Sequence, residues 1–453
     1  MASSDTTPVS IAIIGAGFSG TALAAALHRY VDHPLHVYLL EKTGQFGAGD
    51  AYRTPFPYHL LNARANDMSA LEDEPEHFIH WLQHHEYDSL DAEMPIGRQF
   101  VPRVFYHQYL RDLLNEVQQK QNVMRLELMP GEVIDIEPVG ASANIVIRDQ
   151  QTLLVDKVVL ALGNNPPSKL PFAVSADINC IENPWDYTAL NHIPSDDPVL
   201  VIGTGLSMVD AVLTLHHQHH RGKITAISRR GLLPLPHSED CSAMTFDTAR
   251  LPNDMRSMVK VVRHQAKKIM ANGGDWRNLI SAMRLQIPEV WQRIDERCRR
   301  KFLRHVLPYW NIHRHRVHWK LHELLSDMRK SGQLNVLAGR ILSAATGKVS
   351  ICQRQSQIER QLPVKHIINC MGSSFEPAEQ PLLHALLKRD MAQLDTLQLG
   401  MEVSDNLALK SSTGAPSVSC YVLGPPMRGE VWECIAVPEI RKQCKELALT
   451  LLK

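Results

Sequence analysis

Short apolar runs alternate with amphipathic or alanine-rich stretches along the chain, and this alternation predicts an α/β protein built from βαβ units. Ile11–Ile14 reads as a buried strand, TALAAALHRY (21–30) as a helix and HVYLLEK (36–42) as a second strand. The glycine-rich excursion FGAGDAYRT (46–54) follows, and residues 57–105 read as irregular apart from the amphipathic stretch HFIHWL. In VFYHQYLRDLLNEVQQ the spacing of Phe105, Tyr109, Leu113 and Val117 puts them on one helical face. RLELMPGEVIDIEP and NIVIRDQQTLLVDKVVLALG alternate as strands do, and the linker NNPPSKLPF leads through ENPWDY to another strand, VLVI (199–202). Residues 252–330 read as helical: Ile287, Val290, Trp291, Ile294, Cys298, Phe302 and Val306 recur at helical spacing. Strands return in VKHIINCMG (364–372) and SVSCYVLGP (417–425), and a last helix starts near Pro438.

Two of the strand-to-helix junctions are glycine-rich. The first, IAIIGAGFSG, sets Gly15, Gly17 and Gly20 in a G-x-G-x-x-G frame with Phe18 and Ser19 opening the helix. Such a frame turns tightly, admits a pyrophosphate to the backbone and seats it on the free N–H groups of the helix N-terminus. The next strand ends on Glu41 and Lys42, and a carboxylate there suits a ribose with free hydroxyls. The second junction, VLVIGTGLSM, has Gly203, Gly205, Leu206 and Ser207, with Met208 where a small residue would ease packing. Its following strand ends on Ser228, Arg229 and Arg230, and an arginine pair suits a ribose 2′-phosphate. Taken alone, the pair also fits a solvated strand end. Together the two fingerprints predict FAD on the first and NADPH on the second.

The order of elements predicts two Rossmann-like dinucleotide-binding domains, the FAD domain being discontinuous. Its first part is expected over 1–180 and its return over 346–453. The NADPH domain, 181–345, lies between them with a helical insert at about 240–330. The strand–glycine junctions LALG and INCMG place Gly163 and Gly372 at the crossings, where the two cofactors would face each other.

Composition adds exclusions. The 48 Lys and Arg balance 48 Asp and Glu, so neither nucleic acid nor an anionic membrane is expected as partner. MASSDTTPVS lacks the features of a signal peptide, and no apolar run is long enough to span a bilayer. Eight scattered cysteines form no C-x-x-C, which points to a reducing cytoplasm and away from structural zinc and flavin-linked disulfide reductases. HHQHH (216–220) reads as a solvated helix end, and no metal site is expected. The basic run Arg297–Arg316 fits either an exposed helix face or an anion site. A homo-oligomer is compatible with all of this.

The blocks GAGFSG, GAGDAYRTPFPYHLLNARANDMSA, FVPRVFYHQYLRDLL, IENPWDY, GTGLSMVDAVLTL, SRRGLLP and YVLGPPMRGEVWECIAVPEIRKQ follow one another over nearly the whole chain. In these the chain resembles the bacterial FAD/NAD(P)-binding oxidoreductase family and, more distantly, the flavin-containing monooxygenases and amino-acid N-hydroxylases. The resemblance implies that NADPH reduces FAD and that a flavin C4a-hydroperoxide then hydroxylates a small polar metabolite, such as an amine or an amino-acid nitrogen, with molecular oxygen as co-substrate. It implies that Val133 offers backbone atoms to the adenine, that Asn62, Met68 and Ser69 lie by the flavin, and that Trp185 sits at the domain crossing. Gly424 would meet the flavin, and the helix from Val437–Pro438 would aim its N-terminus at the N1–C2=O side. Asn62 and Trp185 are the catalytic candidates; a turn role for Asn62 and a packing role for Trp185 fit the sequence equally. Two departures stand out. Gly424–Pro425 replaces the usual glycine–aspartate pair, and ENPWDY replaces the histidine-centred signature of the monooxygenases. A flavin reductase or dehydrogenase without oxygen insertion, and a non-catalytic FAD/NADPH-binding module, are the alternatives.

Overall fold

The computed structural model describes residues 8–47, 49–87, 93–120, 123–238 and 244–453. Cys241 and the first residues of the expected insert, 240–243, lie outside them, as does most of the N-terminal segment read for a signal peptide. The chain divides into two compact units. One comprises the described residues through Pro57, Ala63–Asn165 and Phe375–Lys453; the other comprises Tyr58–Asn62 and Pro166–Ser374.

The first unit is built on β1 (Val9–Ile14), which is buried from Ile11 onward and has a parallel neighbour on each side. Those neighbours are β2 (Leu35–Glu41) and β7 (Lys157–Leu160); β3 (Met124–Pro130) extends the sheet beyond β2. On the other side β16 (Pro416–Val422) runs parallel to β7, and β15 (Ala408–Lys410) closes the edge antiparallel. An antiparallel sheet of β4 (Val133–Val139), β5 (Ser142–Ile147) and β6 (Leu153–Val155) packs its apolar face into the same core. The helix Phe18–Tyr30 buries every residue from Phe18 to Leu27. Alanines and glycine suit it because no face is left for bulky polar groups. The helix Arg103–Gln119 buries Tyr106, Tyr109, Leu110, Leu113, Leu114 and Val117. Phe105 is only partly covered. The true stripe combines three- and four-residue steps, as a 3.6-residue period requires, so Tyr106 takes the place expected for Phe105.

The second unit carries β8 (Asn179–Ile181), β9 (Val199–Ile202), β10 (Ile224–Ser228), β11 (Leu334–Ala345), β12 (Lys348–Gln353), β13 (Glu359–Pro363) and β14 (His366–Asn369). They form a seven-stranded sheet in the order β13-β12-β11-β10-β9-β14-β8. This sheet moves both boundaries drawn from sequence. The order of elements places β14 in the returning part of the first domain, yet it pairs parallel with β9, His366 opposite Val199, and is buried along its length. The return therefore falls at 375 rather than 346, and the second unit begins at 166 rather than 181. The unit also takes in Tyr58–Asn62, where buried His59 has Nε2 3.0 Å from Thr214 Oγ1 and 3.3 Å from the Asp210 carbonyl.

The helical insert is broken where aspartates cap. Asp254, Asp275 and Asp295 each accept a hydrogen bond from a first-turn N–H, and Asp295 takes that of Cys298 at 2.7 Å. The repeat from Ile287 to Val306 keeps its helical spacing across two α-helical segments and a π-turn at Phe302–Val306, just before Pro308.

Candidate functional site

In the first unit β1 runs into the turn Gly15–Gly17 and the helix that begins at Phe18. Gly15 has φ +103°, and a Cβ there would collide with the Ala161 carbonyl; a Cβ at Gly20 would collide with the Gly15 carbonyl. Gly17 is different: among described atoms a Cβ would meet only Gly49, the nearest atom 3.5 Å away. Two glycines close the turn against its surroundings, while the middle one faces only the backbone of a second glycine at ordinary contact distance, an arrangement that fits a pyrophosphate on the helix N-terminus. Glu41 ends β2 and reaches back to this turn. Its Oε2 accepts the Ala16 N–H at 3.0 Å, and Oε1 accepts the Thr43 N–H at 3.1 Å and hydroxyl at 3.0 Å. The carboxylate thus ties the glycine turn to the end of β2. Lys42 follows it, exposed.

The other predicted residues of this unit have the following surroundings. Gly163, three residues past the end of β7, has φ +70°. Gly424 has φ +80°, and a Cβ on it would stand 2.9 Å from Ser19 Oγ, so the returning chain lies directly against the fingerprint helix. Cys444, from the C-terminal helix Val437–Leu451, donates its thiol to the Ser19 carbonyl at 3.6 Å. Met68 and Ser69 are buried, and the Ser69 hydroxyl is engaged with Leu71 and Glu74 of its own loop. Tyr109 fixes that loop: its hydroxyl accepts the Ala70 N–H at 3.1 Å and lies 2.8 Å from His77 Nδ1. Burial holds the Tyr109 phenol well above its ordinary pKa, so it stays neutral. Val133 opens β4, opposite Ile147.

The second unit repeats the plan. β9 runs into Gly203, with φ +117° and a Cβ position blocked by the Cys370 carbonyl, whereas Gly205 has no described atom within 4 Å of a Cβ. The following helix, Leu206–His217, begins with Leu206 and Ser207, and Met208 is fully buried beneath it, filling the space a small residue would leave. At the end of β10, Ser228 Oγ accepts the Gly231 N–H at 3.0 Å and lies 2.9 Å from Thr204 Oγ1. Arg229 is exposed. Arg230 donates to the Tyr309 hydroxyl at 3.1 Å and stacks over that ring at 5.0 Å, so the insert positions it. Gly372 follows β14, and its carbonyl accepts the Ser168 N–H and hydroxyl.

Asn62 and Trp185 are both in the second unit. The Asn62 carbonyl lies 3.0 Å from His237 Nε2 and its side chain is exposed. Trp185 is half-buried in a turn where Asn183 Oδ1 accepts its N–H at 3.0 Å. His217 of the HHQHH run stacks on Tyr58 at 3.9 Å, and burial lowers its pKa. Among the described residues no group of three or more His, Cys, Asp or Glu could hold a metal ion. No helix among them is long and apolar enough to cross a membrane.

Sequence reasoning passed over His59, Asp395 and Arg354. Asp395 is buried and its carboxylate accepts the N–H groups of Leu397, Leu399 and Gly400. A single aspartate in an irregular stretch carries no period, so nothing in the sequence could mark it.

The fold and the two glycine turns define an α/β architecture with two dinucleotide-binding units of the Rossmann kind. Residues 12–165 match a protein-family model described as FAD-NAD(P)-binding. No curated protein matches the chain in sequence. Among solved structures it is similar to the reduced form of the ornithine hydroxylase of Pseudomonas aeruginosa, at 15% identity and TM-score 0.67, covering 98% of this chain and 99% of that one. It is similar to the ornithine N-hydroxylase of Kutzneria sp. 744, with reduced FAD, NADP+ and L-ornithine, at 13% identity, TM-score 0.68 and the same coverage. The third is the FAD-bound cadaverine monooxygenase of desferrioxamine biosynthesis from Erwinia amylovora, at 13% identity and TM-score 0.67 over 99% of this chain and 95% of that one.

Proposed function

We propose that the chain is an NADPH-dependent flavin monooxygenase that hydroxylates the nitrogen of a small polar amine or amino acid, using molecular oxygen. The observation that carries this reading is the pairing of two unlike fingerprints in one chain. One is closed by Glu41 and one by Arg229 and Arg230, in a chain that follows the fold of the N-hydroxylases over nearly its whole length.

In this reading the turn Gly15, Gly17 and Gly20, with the first N–H groups of its helix at Phe18 and Ser19, holds the FAD pyrophosphate. Glu41 and Lys42 flank the adenosine ribose, and Val133 offers main-chain atoms to the adenine. Met68, Ser69, Gly163 and Gly424 shape the flavin end. Gly203, Gly205, Leu206 and Ser207 hold the NADPH pyrophosphate, Ser228, Arg229 and Arg230 hold its 2′-phosphate, and Gly372 borders the site. The Asn62 amide and Trp185 orient reacting polar groups and exclude water. Bound FAD supplies two-electron acceptance from NADPH and activation of oxygen.

The cysteines support this choice over a disulfide reductase. Seven described cysteines are free, and burial pushes the thiols of Cys180 and Cys434 up to about 12. Neither thiol is primed as a nucleophile. Free thiols also support a cytoplasmic setting.

The departure at ENPWDY favours a second reading, a dehydrogenase that passes electrons to another acceptor. One experiment separates the two. A panel of diamines and amino acids is screened for stimulated NADPH oxidation, with peroxide and hydroxylamine product measured in the same samples. Coupled hydroxylamine formation is expected. Turnover that proceeds equally well without oxygen, on a quinone or carrier, would replace the monooxygenase reading with the dehydrogenase one.

A further inference from the structure

We propose that Arg354, in the turn between β12 and β13, is a third arginine of the 2′-phosphate site and sets the preference for a phosphorylated dinucleotide; this rests on the NADPH reading above. Sequence pattern could not show it, because Arg354 lies far along the chain from Arg229. The sheet brings the two together. Ala338 of β11 stands opposite Ser228, the last residue of β10, and its carbonyl accepts the Arg354 N–H at 2.9 Å. From there the Arg354 guanidinium donates through one Nη to the Arg229 carbonyl at 3.2 Å.

The division of labour among the three arginines carries the argument. Arg230 is drawn to the insert, bonded to the Tyr309 hydroxyl at 3.1 Å and near the Arg304 carbonyl at 3.5 Å. Arg354 spends one donor on the main chain, which fixes its head group at the end of β10. A guanidinium has five N–H donors in a rigid fork, so the others remain available to an anion. Among the described residues none of the three forms an ion pair with a carboxylate. Arg354 is held at the strand end that carries Arg229, and a dianionic phosphate bound there by guanidinium N–H groups gains charge-assisted hydrogen bonds. A sugar hydroxyl at the same place offers no such charge.

The test uses the FAD-loaded protein and two probes, 2′,5′-ADP and 5′-AMP, titrated by calorimetry into the native protein, Arg354→Ala and Arg354→Lys. The native protein is expected to bind 2′,5′-ADP more tightly. Arg354→Ala should lose about ten-fold of that affinity, the range for a hydrogen bond to a charged group, with 5′-AMP unchanged. Arg354→Lys, which keeps the charge without the fork, should fall between the two and remains informative if the alanine variant does not fold. Unchanged discrimination in the variants, or equal loss for both probes, overturns the role of Arg354. A native protein that binds the two probes equally overturns the NADPH reading itself.

Discussion

A Cβ on Gly203 would collide with the carbonyl oxygen of Cys370, the residue that follows β14. The contact is locked from both sides: the Gly203 N–H donates to the Ile227 carbonyl and the Cys370 N–H to the Ile202 carbonyl, each at 2.8 Å. Gly203→Ala must also adopt φ +117° with a side chain, so it is expected to cost about 1–3 kcal/mol or more. A lowered thermal midpoint would report it, and an unchanged midpoint would show that the turn relaxes.

Gly205→Ala makes the opposite case. With no described atom within 4 Å of the added methyl, the fold should hold and the melting temperature should stay within about two degrees. On the proposed reading the methyl would enter the space a pyrophosphate takes, and NADPH binding by titration should weaken about ten-fold. A variant that melts as early as Gly203→Ala would contradict the open cradle.

Glu41→Ala strips the glycine turn of its acceptor. The Ala16 N–H loses a charged partner at 3.0 Å, at a cost of about 1–3 kcal/mol. The purified variant should hold less FAD, read as the ratio of flavin to protein absorbance. Full retention would show that Glu41 contributes nothing to FAD binding.

Arg229→Ala combined with Arg230→Ala should weaken NADPH far more than NADH, by about ten-fold or more in KM. Because Arg230 is also packed on Tyr309, a thermal melt should accompany the assay. Equal loss for the two nucleotides would argue that the pair only braces the insert.

Asp156 gives a pH prediction. Burial pulls its carboxyl pKa up, but the Ser10 N–H at 2.9 Å, the Ser10 hydroxyl at 2.8 Å and the Ser142 hydroxyl at 3.2 Å outweigh it, and the net shift is downward. A carboxyl depressed on folding stabilises above its unfolded pKa of about 3.9, and that stability is lost as pH falls through the lower folded value. Asp156→Asn should therefore flatten the acid limb of the unfolding midpoint against pH. A limb identical to the native one would assign acid sensitivity to other carboxylates.

Both glycine turns and their helices were legible because each is a local pattern with a backbone cause. β14 was harder. HIIN is a short buried run, and nothing within it says which sheet will accept it; the answer lies in its pairing with β9 and β8. The anchoring of a cation by a distant partner is equally silent in sequence: the placement of Arg230 depends on Tyr309 in the insert, and that of Arg354 on a strand register. In the insert the apolar repeat runs on across the break that Asp295 caps.

The assignment of Tyr58–Asn62 to the second unit has a practical meaning for dissection of the chain. Residues 166–374 cut out alone would leave behind His59, which is buried against Asp210 and Thr214, and would expose the surface it covers. No single pair of cuts frees that unit intact, because five of its residues travel with the other part of the polypeptide. A separately folding second unit would have to be made by splicing that pentapeptide back on, because no one continuous segment carries it whole.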